Sequence, residues 1–223
     1  MGNINPHRHA VVFSDFDGTI TQEETFSLLM REFAPEASRA MIPRLLSGEV
    51  TLREGVPAVL ETISSSAFSA MEDRMKEAPL RPGFVEFLNT LDRLGIPMVV
   101  ISGSIEPLLM AALTPYKSRI ERIVAAKVDL SGPFLRVTSP YADHDELVYK
   151  PGILQSFSSA TKIVVGDSVT DFSMARMGDI VFARSLLAKK LDEEGRHYIA
   201  FDTFFEISNY LDINKRNLQE PQK

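Results

Sequence analysis

The sequence predicts an α/β protein with a mainly parallel sheet and a helical block inserted after the first strand. Three observations lead to this prediction. Short β-branched runs alternate with helical patterns, one early segment contains helical patterns alone, and polar clusters follow several of the apolar runs directly. Apolar residues make up 44% of the 223 residues and both charge signs are interspersed, so a packed protein is expected rather than a disordered chain.

Five short apolar runs are predicted to be strands, because each is rich in β-branched or aromatic residues. They are Ala10 to Ser14, Pro97 to Ile101, Lys162 to Val165, Ile180 to Ala183 and Tyr198 to Phe201. The stretch from Ile123 to Thr138 indicates a β-hairpin that turns at Ser131-Gly132-Pro133.

Helices are predicted between these runs. Pro82-Gly83 opens one that Gly95 ends, since glycine commonly closes a helix. Further helices are expected from about Phe172 to Met177, from Leu186 to Glu194 and from Phe204 to Leu211. The polar tail from Asn214 to Lys223 is expected to be frayed.

Residues from about Thr21 to Leu80 break the alternation, because their apolar residues recur at helical spacing throughout. Such a block after the first strand is interpreted as a lid. The predicted organisation is therefore a catalytic core of residues 1–20 and 81–223, with a helical cap of residues 21–80. Met71 and Met75 are expected to fill the interior of that cap.

Composition excludes several classes of function. A net charge of −6 argues against a nucleic-acid or membrane-surface binder, which would need a basic face. The chain has no cysteine, so disulfides, thiolate metal sites and a cysteine nucleophile are excluded. Neither a signal peptide nor an apolar run long enough to span a bilayer is recognised, and His7 and His9 are interpreted as surface residues. A cytoplasmic monomer or homodimer is expected.

Polar residues follow three of the predicted strands. The first strand ends in Asp15-Phe16-Asp17-Gly18-Thr19, the second in Ser102-Gly103-Ser104, and the third in Gly166-Asp167-Ser168-Val169-Thr170-Asp171. Lys150 precedes the helix that leads into the third strand. Open α/β sheets bind ligands at the carboxyl ends of their strands, so these groups are expected to meet at one edge.

The acids of this set predict a metal site. Asp15, Asp17, Asp167 and Asp171 offer oxygen ligands alone, which suits Mg²⁺. Two like charges 4 Å apart repel by about 4 kcal/mol at an effective dielectric constant near 20. Clustered carboxylates next to a phosphate therefore need a divalent cation and the ammonium of Lys150.

With a phosphate in place, Asp15 is a plausible nucleophile that forms an aspartyl-phosphate. Asp17 would protonate the leaving alkoxide and later deprotonate the attacking water. The groups predicted to bind or neutralise the phosphoryl oxygens are Ser102, Gly103, Ser104 and Lys150.

These residues resemble the four motifs of the haloacid dehalogenase (HAD) superfamily of aspartate-nucleophile phosphatases, in order and in spacing. The motifs stand here as Asp15 to Thr19, Ser102, Lys150 and Gly166 to Asp171. The resemblance covers nearly the whole chain. It implies an Mg²⁺-dependent phosphatase of a small phosphorylated metabolite, and the insertion is similar to the cap of the phosphoserine-phosphatase branch.

Two families of that branch compete. Phosphoserine phosphatases carry a glutamate for the substrate amine, and Glu24 stands at its place, but their cap arginine is missing from Ala58 to Thr62 and Arg53 lies earlier. The phosphatases of 2-hydroxy-3-keto-5-methylthiopentenyl-1-phosphate, which act in methionine salvage, are more similar at Phe33-Ala34-Pro35 and Leu52 to Val56. Members of that family can have a cysteine-rich stretch where this chain has Ala142 to Glu146. The second family is favoured.

Alternative interpretations remain open from the sequence. Glu24 can instead be a helix-end charge, favoured by the dipole. Asp143 to Glu146 can be a second metal site, although a solvated loop is favoured. Response-regulator receivers also combine acids, a hydroxyl and a lysine, but they lack an insertion after the first strand. A non-catalytic sensor of phosphorylated ligands is disfavoured by the intact set of acids with Ser102 and Lys150.

Overall fold

A seven-stranded sheet in the order β4-β3-β2-β1-β5-β6-β7 lies at the centre of the computed structural model, which describes residues 10–157 and 161–219. Every pairing is parallel except that of β3 with β4. The predicted α/β class with a mainly parallel sheet is thereby confirmed. The strands are β1 (Ala10–Ser14), β2 (Met98–Ile105), β3 (Arg122–Asp129), β4 (Arg136–Thr138), β5 (Thr161–Gly166), β6 (Ile180–Ala183) and β7 (Ile199–Ala200).

Helices cover both faces of the sheet, which explains why its strands are continuous apolar runs. Val11 and Phe13 of β1 belong to one apolar cluster, and Ala10 and Val12 to the other. The first cluster includes residues of α7 (Lys150–Gln155), α8 (Phe172–Ala175) and α9 (Ser185–Glu193). The second includes residues of α5 (Phe84–Leu94), α6 (Glu106–Leu113) and α10 (Phe204–Ile213).

The order of the strands places a switch point beside β1. The chain leaves β1 toward β2, β3 and β4 and then returns to pair β5 with the other side of β1. Ser14 is in register with Val100 of β2 and with Val165 of β5, so the three strands end close together. A crevice outside the carboxyl ends of such strands is the usual ligand site of an open α/β sheet.

Residues 21–80 contain four α-helices and a short 3-10 helix (Ser65–Ala67), and the structure assigns no multi-residue strand to this part of the chain. The helices are α1 (Thr25–Phe33), α2 (Pro35–Leu46), α3 (Leu52–Leu60) and α4 (Phe68–Lys76). Met71 and Met75 are fully buried, in the same cluster as Leu108 and Leu109 of α6. The prediction that these methionines fill the interior is confirmed, and the insertion shares one apolar core with the sheet.

The helix ends follow local signals. Gly83 and Gly95 flank α5 with φ of 83° and 68°, a conformation that glycine adopts at little cost. Thr51 and Glu54 form a capping box at the start of α3. None of the helices in the two described ranges is long and apolar enough to cross a bilayer.

Several predicted boundaries are wrong. β2 continues to Ile105, with an irregular register against β3 between Ile101 and Ile105, and β7 is only two residues long. Helix α6 was not predicted. The tail from Asn214, which was expected to be frayed, contains α11 (Lys215–Gln219), in which Leu218 is buried. His7, His9 and the last four residues lie outside the described residues.

Candidate active site

Asp15 and Lys150 meet at the switch point. Asp15 follows β1 directly, and its N–H donates to the carbonyl of Val165 at 2.9 Å, so β5 holds its backbone. Lys150 is the first residue of α7, and its Nζ lies 2.5 Å from Oδ1 of Asp15 and 2.5 Å from Oδ1 of Asp171. All three side chains are buried. The predicted convergence of these strand ends is therefore observed.

Asp15, Asp167 and Asp171 form a group that can hold a metal ion. One carboxylate oxygen of each lies within 4.8 Å of the others, and all three residues are buried. Three hard oxygen donors without histidine fit a hard divalent cation, and the excess of negative charge would be relieved by one. The carboxylate of Asp17, which the sequence also predicts as a ligand, lies outside this group.

The charges of this group perturb one another. Burial raises the pKa of Asp15 well above its usual value, and Asp171 raises it further, while Lys150 acts in the opposite direction. Burial and Asp171 raise the pKa of Asp167 to about 6. Burial alone would lower the pKa of Lys150, but Asp15 and Asp171 more than offset it, and the net pKa is raised. One ammonium therefore does not neutralise the three carboxylates.

Asp17 is oriented by two other elements. Its Oδ1 accepts from the N–H of Phe26 in α1 at 2.8 Å, and its Oδ2 accepts from Oγ of Ser102 at 3.2 Å. Burial raises the pKa of Asp17 to about 6, although both hydrogen bonds oppose the increase. A carboxyl group with a pKa close to neutrality is suited to donate and later accept a proton.

The Ser102-Gly103-Ser104 segment lies within β2 rather than after it. Oγ of Ser102 accepts from the N–H of Ser104 at 3.0 Å and donates to Asp17. Gly103 is exposed, whereas Oγ of Ser104 is buried and has no hydrogen-bond partner among the described residues. These groups lie at the same edge as Asp15, as predicted.

A hydroxyl and two backbone amides orient the remaining acids. Thr19 donates its Oγ1 hydrogen to Oδ1 of Asp167 at 2.8 Å. Oδ2 of Asp171 accepts from the N–H groups of Asp167 and Ser168 at 3.0 Å each. Gly18 has φ of 74°, and a Cβ there would lie 2.5 Å from Oδ2 of Asp167, so no larger residue fits.

Glu24 lies at the opening of this site. Its side chain is exposed, yet its Oε1 lies 3.0 Å from the position a Cβ on Gly18 would occupy. Partial burial and the charges of Asp167 and Asp17 raise its pKa to about 7. Although Glu24 is the N-cap residue of α1, its side chain makes no capping hydrogen bond, so the interpretation as a helix-end charge has no direct contact in its favour.

Two arginines at the site were not predicted to have a role there. Arg81 is buried and donates to several backbone carbonyls that follow Asp17, including those of Gly18 and Thr19. Nη1 of Arg184 donates to the carbonyl of Gly18 at 3.2 Å, and its charge lowers the pKa of Asp167. The available signal for Arg81 was its place beside Pro82-Gly83, where the chain returns from the insertion.

The loop from Asp143 to Glu146 does not form a metal cluster of three ligands; within the described ranges only the Asp15 group does. Asp143 and His144 are largely exposed, which agrees with a solvated loop. The N–H of Arg53 donates to the carbonyl of Asp145 at 3.0 Å, and its Nη1 lies 3.5 Å from the carbonyl of His144. Arg53, which lies before the place where the arginine of phosphoserine phosphatases is missing, thus contacts this loop.

Similar proteins place the chain in a family. Residues 12–176 match the sequence profile of the haloacid dehalogenase-like hydrolases. The chain is 39% identical over 203 residues to the 2-hydroxy-3-keto-5-methylthiopentenyl-1-phosphate phosphatase of Microcystis aeruginosa, covering 90% of this chain and 97% of that one. It is 36% identical over 212 residues to the protein of the same name from Exiguobacterium sp., with 90% and 96% covered.

Solved structures share the fold. The phosphoserine phosphatase from T. onnurineus superposes with a TM-score of 0.66 at 19% identity, over 99% of this chain and 100% of that one. The probable phosphoserine phosphatase from Vibrio cholerae gives 0.72 at 14% identity, over 98% and 69%. The sheet edge brings together a buried aspartate group, a lysine and a further carboxylate, a set that is suited to the hydrolysis of phosphate esters. The chain belongs to the haloacid dehalogenase-like hydrolases and is a phosphatase of that family.

Proposed function

We propose that this phosphatase hydrolyses 2-hydroxy-3-keto-5-methylthiopentenyl-1-phosphate through an aspartyl-phosphate on Asp15. The observation that supports the chemistry is the convergence of Asp15, Asp17, Lys150 and the acids of the β5 loop at one buried edge. The substrate is inferred from relatives of that name that span 90% of this chain.

The proposed reaction has two steps. A carboxylate oxygen of Asp15 attacks phosphorus, the bond from phosphorus to the enol oxygen of the substrate breaks, and the carboxyl of Asp17 gives its proton to the departing enolate oxygen. Water then attacks phosphorus and gives a proton to Asp17 as the bond to Asp15 breaks. The products are the enediol and inorganic phosphate, and both carboxyl groups return to their initial states.

The other residues hold the phosphoryl group. The ammonium of Lys150, 2.5 Å from Asp15, is placed to neutralise charge that develops on phosphoryl oxygens. Ser102, Gly103 and Ser104 line the neighbouring strand end and are proposed to donate hydrogen bonds to those oxygens. We propose Mg²⁺ as the metal of Asp15, Asp167 and Asp171; when bound, it neutralises negative charge on carboxylates and phosphate.

Phosphoserine is the second candidate substrate, because Glu24 lies at the opening of the site and could receive an amine. A carboxylate on the substrate would also need a cationic partner. Arg53, the arginine considered for that role, is engaged with the backbone of the loop at His144 and Asp145. We therefore favour the methylthiopentenyl phosphate, which carries neither an amine nor a carboxylate.

The insertion would close the site. We propose that residues 21–80 act as a cap on a catalytic core of residues 1–20 and 81–223. Closure of such a cap over the substrate would exclude water from the reaction. Phe26 of α1 already contacts Asp17, so the cap and the acid–base group are in direct contact. We also propose that the enzyme works in the cytoplasm, on a small phosphorylated metabolite, as a monomer or homodimer.

The test is a kinetic comparison of the two substrates with and without chelator. We expect kcat/KM for the methylthiopentenyl phosphate to exceed that for phosphoserine by roughly a hundredfold, a discrimination of about 2.7 kcal/mol. Excess chelator should abolish the release of phosphate, and Mg²⁺ should restore it. Preference for phosphoserine would overturn the proposed substrate, and undiminished turnover in chelator would overturn the metal assignment.

A further inference from the structure

Arg81 is a buried guanidinium that donates to backbone carbonyls from three directions. Its Nε donates to Thr19 at 2.7 Å, and its Nη2 to Gly18 at 2.5 Å and to Thr21 at 3.1 Å. Its Nη1 lies 3.3 Å from the carbonyl of Asp202 in the loop before α10. A planar fork with donors in fixed directions is needed for this arrangement, and lysine does not provide one.

The same arginine lies where the chain returns from the insertion. There the two connections between insertion and sheet run side by side, with a bridge between Thr21 and Leu80. The N–H of Arg81 donates to the carbonyl of Ile20 at 2.8 Å, and the N–H of Gln22 donates to that of Pro79 at 2.9 Å. The side chain of Arg81 therefore fastens the outgoing connection to the returning one.

The carbonyls held by Arg81 lie next to reacting groups. Gly18 directly follows Asp17, and its N–H is held by the carbonyl of Glu23 at 2.9 Å and by Oγ1 of Thr21 at 3.1 Å. Thr19 carries the hydroxyl that donates to Asp167. Loss of Arg81 would remove the Nε donor from the carbonyl of Thr19 and leave the carbonyl of Gly18 with Arg184 as its side-chain donor.

Among the described residues Arg81 has no salt-bridge partner, although the charges of Asp167 and Asp202 act on it from further away. Its hydrogen bonds among the described residues go to carbonyl oxygens, and burial together with the charge of Arg184 lowers its pKa. Burying a guanidinium without an ion-pair partner is costly, so hydrogen bonds to the loop have to offset that cost. A buried arginine that binds carbonyl groups is expected where the protein has to hold a loop in one conformation.

We propose that Arg81 is a positioning residue for the acid–base step, which it serves by fixing the Gly18–Gln22 segment and thereby the carboxyl group of Asp17. This inference rests on the proposed phosphatase function. Loss of Arg81 should therefore slow the hydrolysis of some phosphate esters more than that of others. An alkoxide leaving group needs a proton from Asp17, whereas p-nitrophenolate leaves with little help, so a displaced Asp17 should harm alkyl substrates more.

The experiment compares kcat/KM for phosphoserine, a primary alkyl phosphate whose leaving group is an alkoxide, and for p-nitrophenyl phosphate in Arg81→Met and Arg81→Lys. Arg93→Met is the matched control, because Arg93 is exposed and pairs with Asp212 on the surface. We expect both Arg81 variants to lose roughly tenfold or more on the alkyl substrate, and at least about five times less on the aryl substrate. Arg93→Met should match the wild-type enzyme on both substrates.

Circular dichroism and thermal melting separate misfolding from misplacement, since a smaller folded fraction lowers both rates equally. If Arg81→Met does not fold, Arg81→Lys, which keeps the charge and the stem, decides the matter. Equal losses on the two substrates, or wild-type kinetics in a folded variant, would overturn the inference. Failure of both variants to fold would also overturn it, because Arg81 would then serve stability alone. If the wild-type enzyme hydrolyses neither these two esters nor the methylthiopentenyl phosphate, the proposed function is wrong instead.

Discussion

Nζ of Lys150 lies 2.5 Å from Oδ1 of Asp15, and both side chains are almost inaccessible to solvent. This contact joins the first residue of α7 to the residue that follows β1, which are 135 positions apart. Lys150 also contacts Asp171 at 2.5 Å, so it partly compensates two buried carboxylates at once. We therefore expect Lys150 to matter for both stability and catalysis.

Lys150→Met should lower kcat by roughly a hundredfold or more, because charge on the phosphoryl oxygens loses its neutralising partner. It should also lower the free energy of unfolding by about 3–5 kcal/mol, since a buried charge is left unpaired. Phosphate release and urea unfolding measure the two effects. Lys76→Met, which removes an exposed pair with Asp73, is the control and should change stability by less than about 1 kcal/mol. A variant at Lys150 with near-normal turnover would contradict the assignment.

Asp15→Asn should abolish turnover and leave the protein folded. The amide keeps the shape of the side chain but cannot attack phosphorus, so we expect kcat to fall by roughly a thousandfold or more. Thermal melting should show no loss of stability in the metal-free protein, because the substitution removes one of the three clustered negative charges. An active, folded variant would show that another residue is the nucleophile.

Asp167→Asn should stabilise the metal-free protein at high pH. The folded state raises the pKa of Asp167 from 3.8 to about 6, so its contribution to stability is greatest below pH 4 and falls as the pH rises through 6. Asparagine avoids this loss and its Oδ1 still accepts from Thr19. In chelator we expect the variant to gain ~1–3 kcal/mol at about pH 8 and little at about pH 4. Urea unfolding at both pH values measures this.

Asp73→Asn is the control for that series, because Asp73 is exposed and pairs with Lys76 on the surface. It should not reproduce the gain at high pH. Added Mg²⁺ should reverse the order, since the wild-type protein keeps all three carboxylates and the Asp167 variant keeps two. A variant at Asp167 that is less stable than the wild type in chelator at high pH would contradict the charge account of the site.

Glu24→Gln should change KM more than it changes the Mg²⁺ requirement, because Glu24 lies at the opening of the site. For the methylthiopentenyl phosphate, loss of a negative charge near the incoming phosphate should lower KM by roughly twofold to fivefold. For phosphoserine, loss of a partner for the amine should raise it. Steady-state kinetics at several Mg²⁺ concentrations measures both, with Glu23→Gln as the neighbouring exposed control. An unchanged KM would mean that Glu24 does not face the substrate.

The convergence of Asp15, Ser102, Lys150 and Asp167 could be predicted because it depends on topology alone. Parallel strands end at one edge, where Asp15 and Asp167 follow strands and Lys150 begins a helix, and Ser102 lies within β2 beside Asp17. The direction of the Asp17 carboxylate could not be predicted, because it depends on the N–H of Phe26 and on the hydroxyl of Ser102, both distant in the chain. The metal-ligand role of Asp17 therefore stays a prediction, and its carboxylate lies outside the group of Asp15, Asp167 and Asp171.

Three features that were not predicted from the sequence depend on tertiary contacts. α6 has little polar face, since Leu108, Leu109, Ala112 and Leu113 are all buried, so its sequence lacks the amphipathic period on which helix prediction depends. The helix in the tail depends on Leu218, a single apolar residue that becomes buried. Arg81 makes contacts only with backbone carbonyls, and such partners leave no pattern of residue types in a sequence.

The most direct measurement is the capture of a phosphorylated Asp15. The enzyme is mixed with ³²P-labelled substrate and quenched with acid within one turnover, and the protein is then reduced with borohydride and mapped by mass spectrometry. An aspartyl-phosphate predicts transient label on the protein and conversion of Asp15 to homoserine, with neither in Asp15→Asn. Turnover without label on the protein, or label on another residue such as Ser102, would contradict the account.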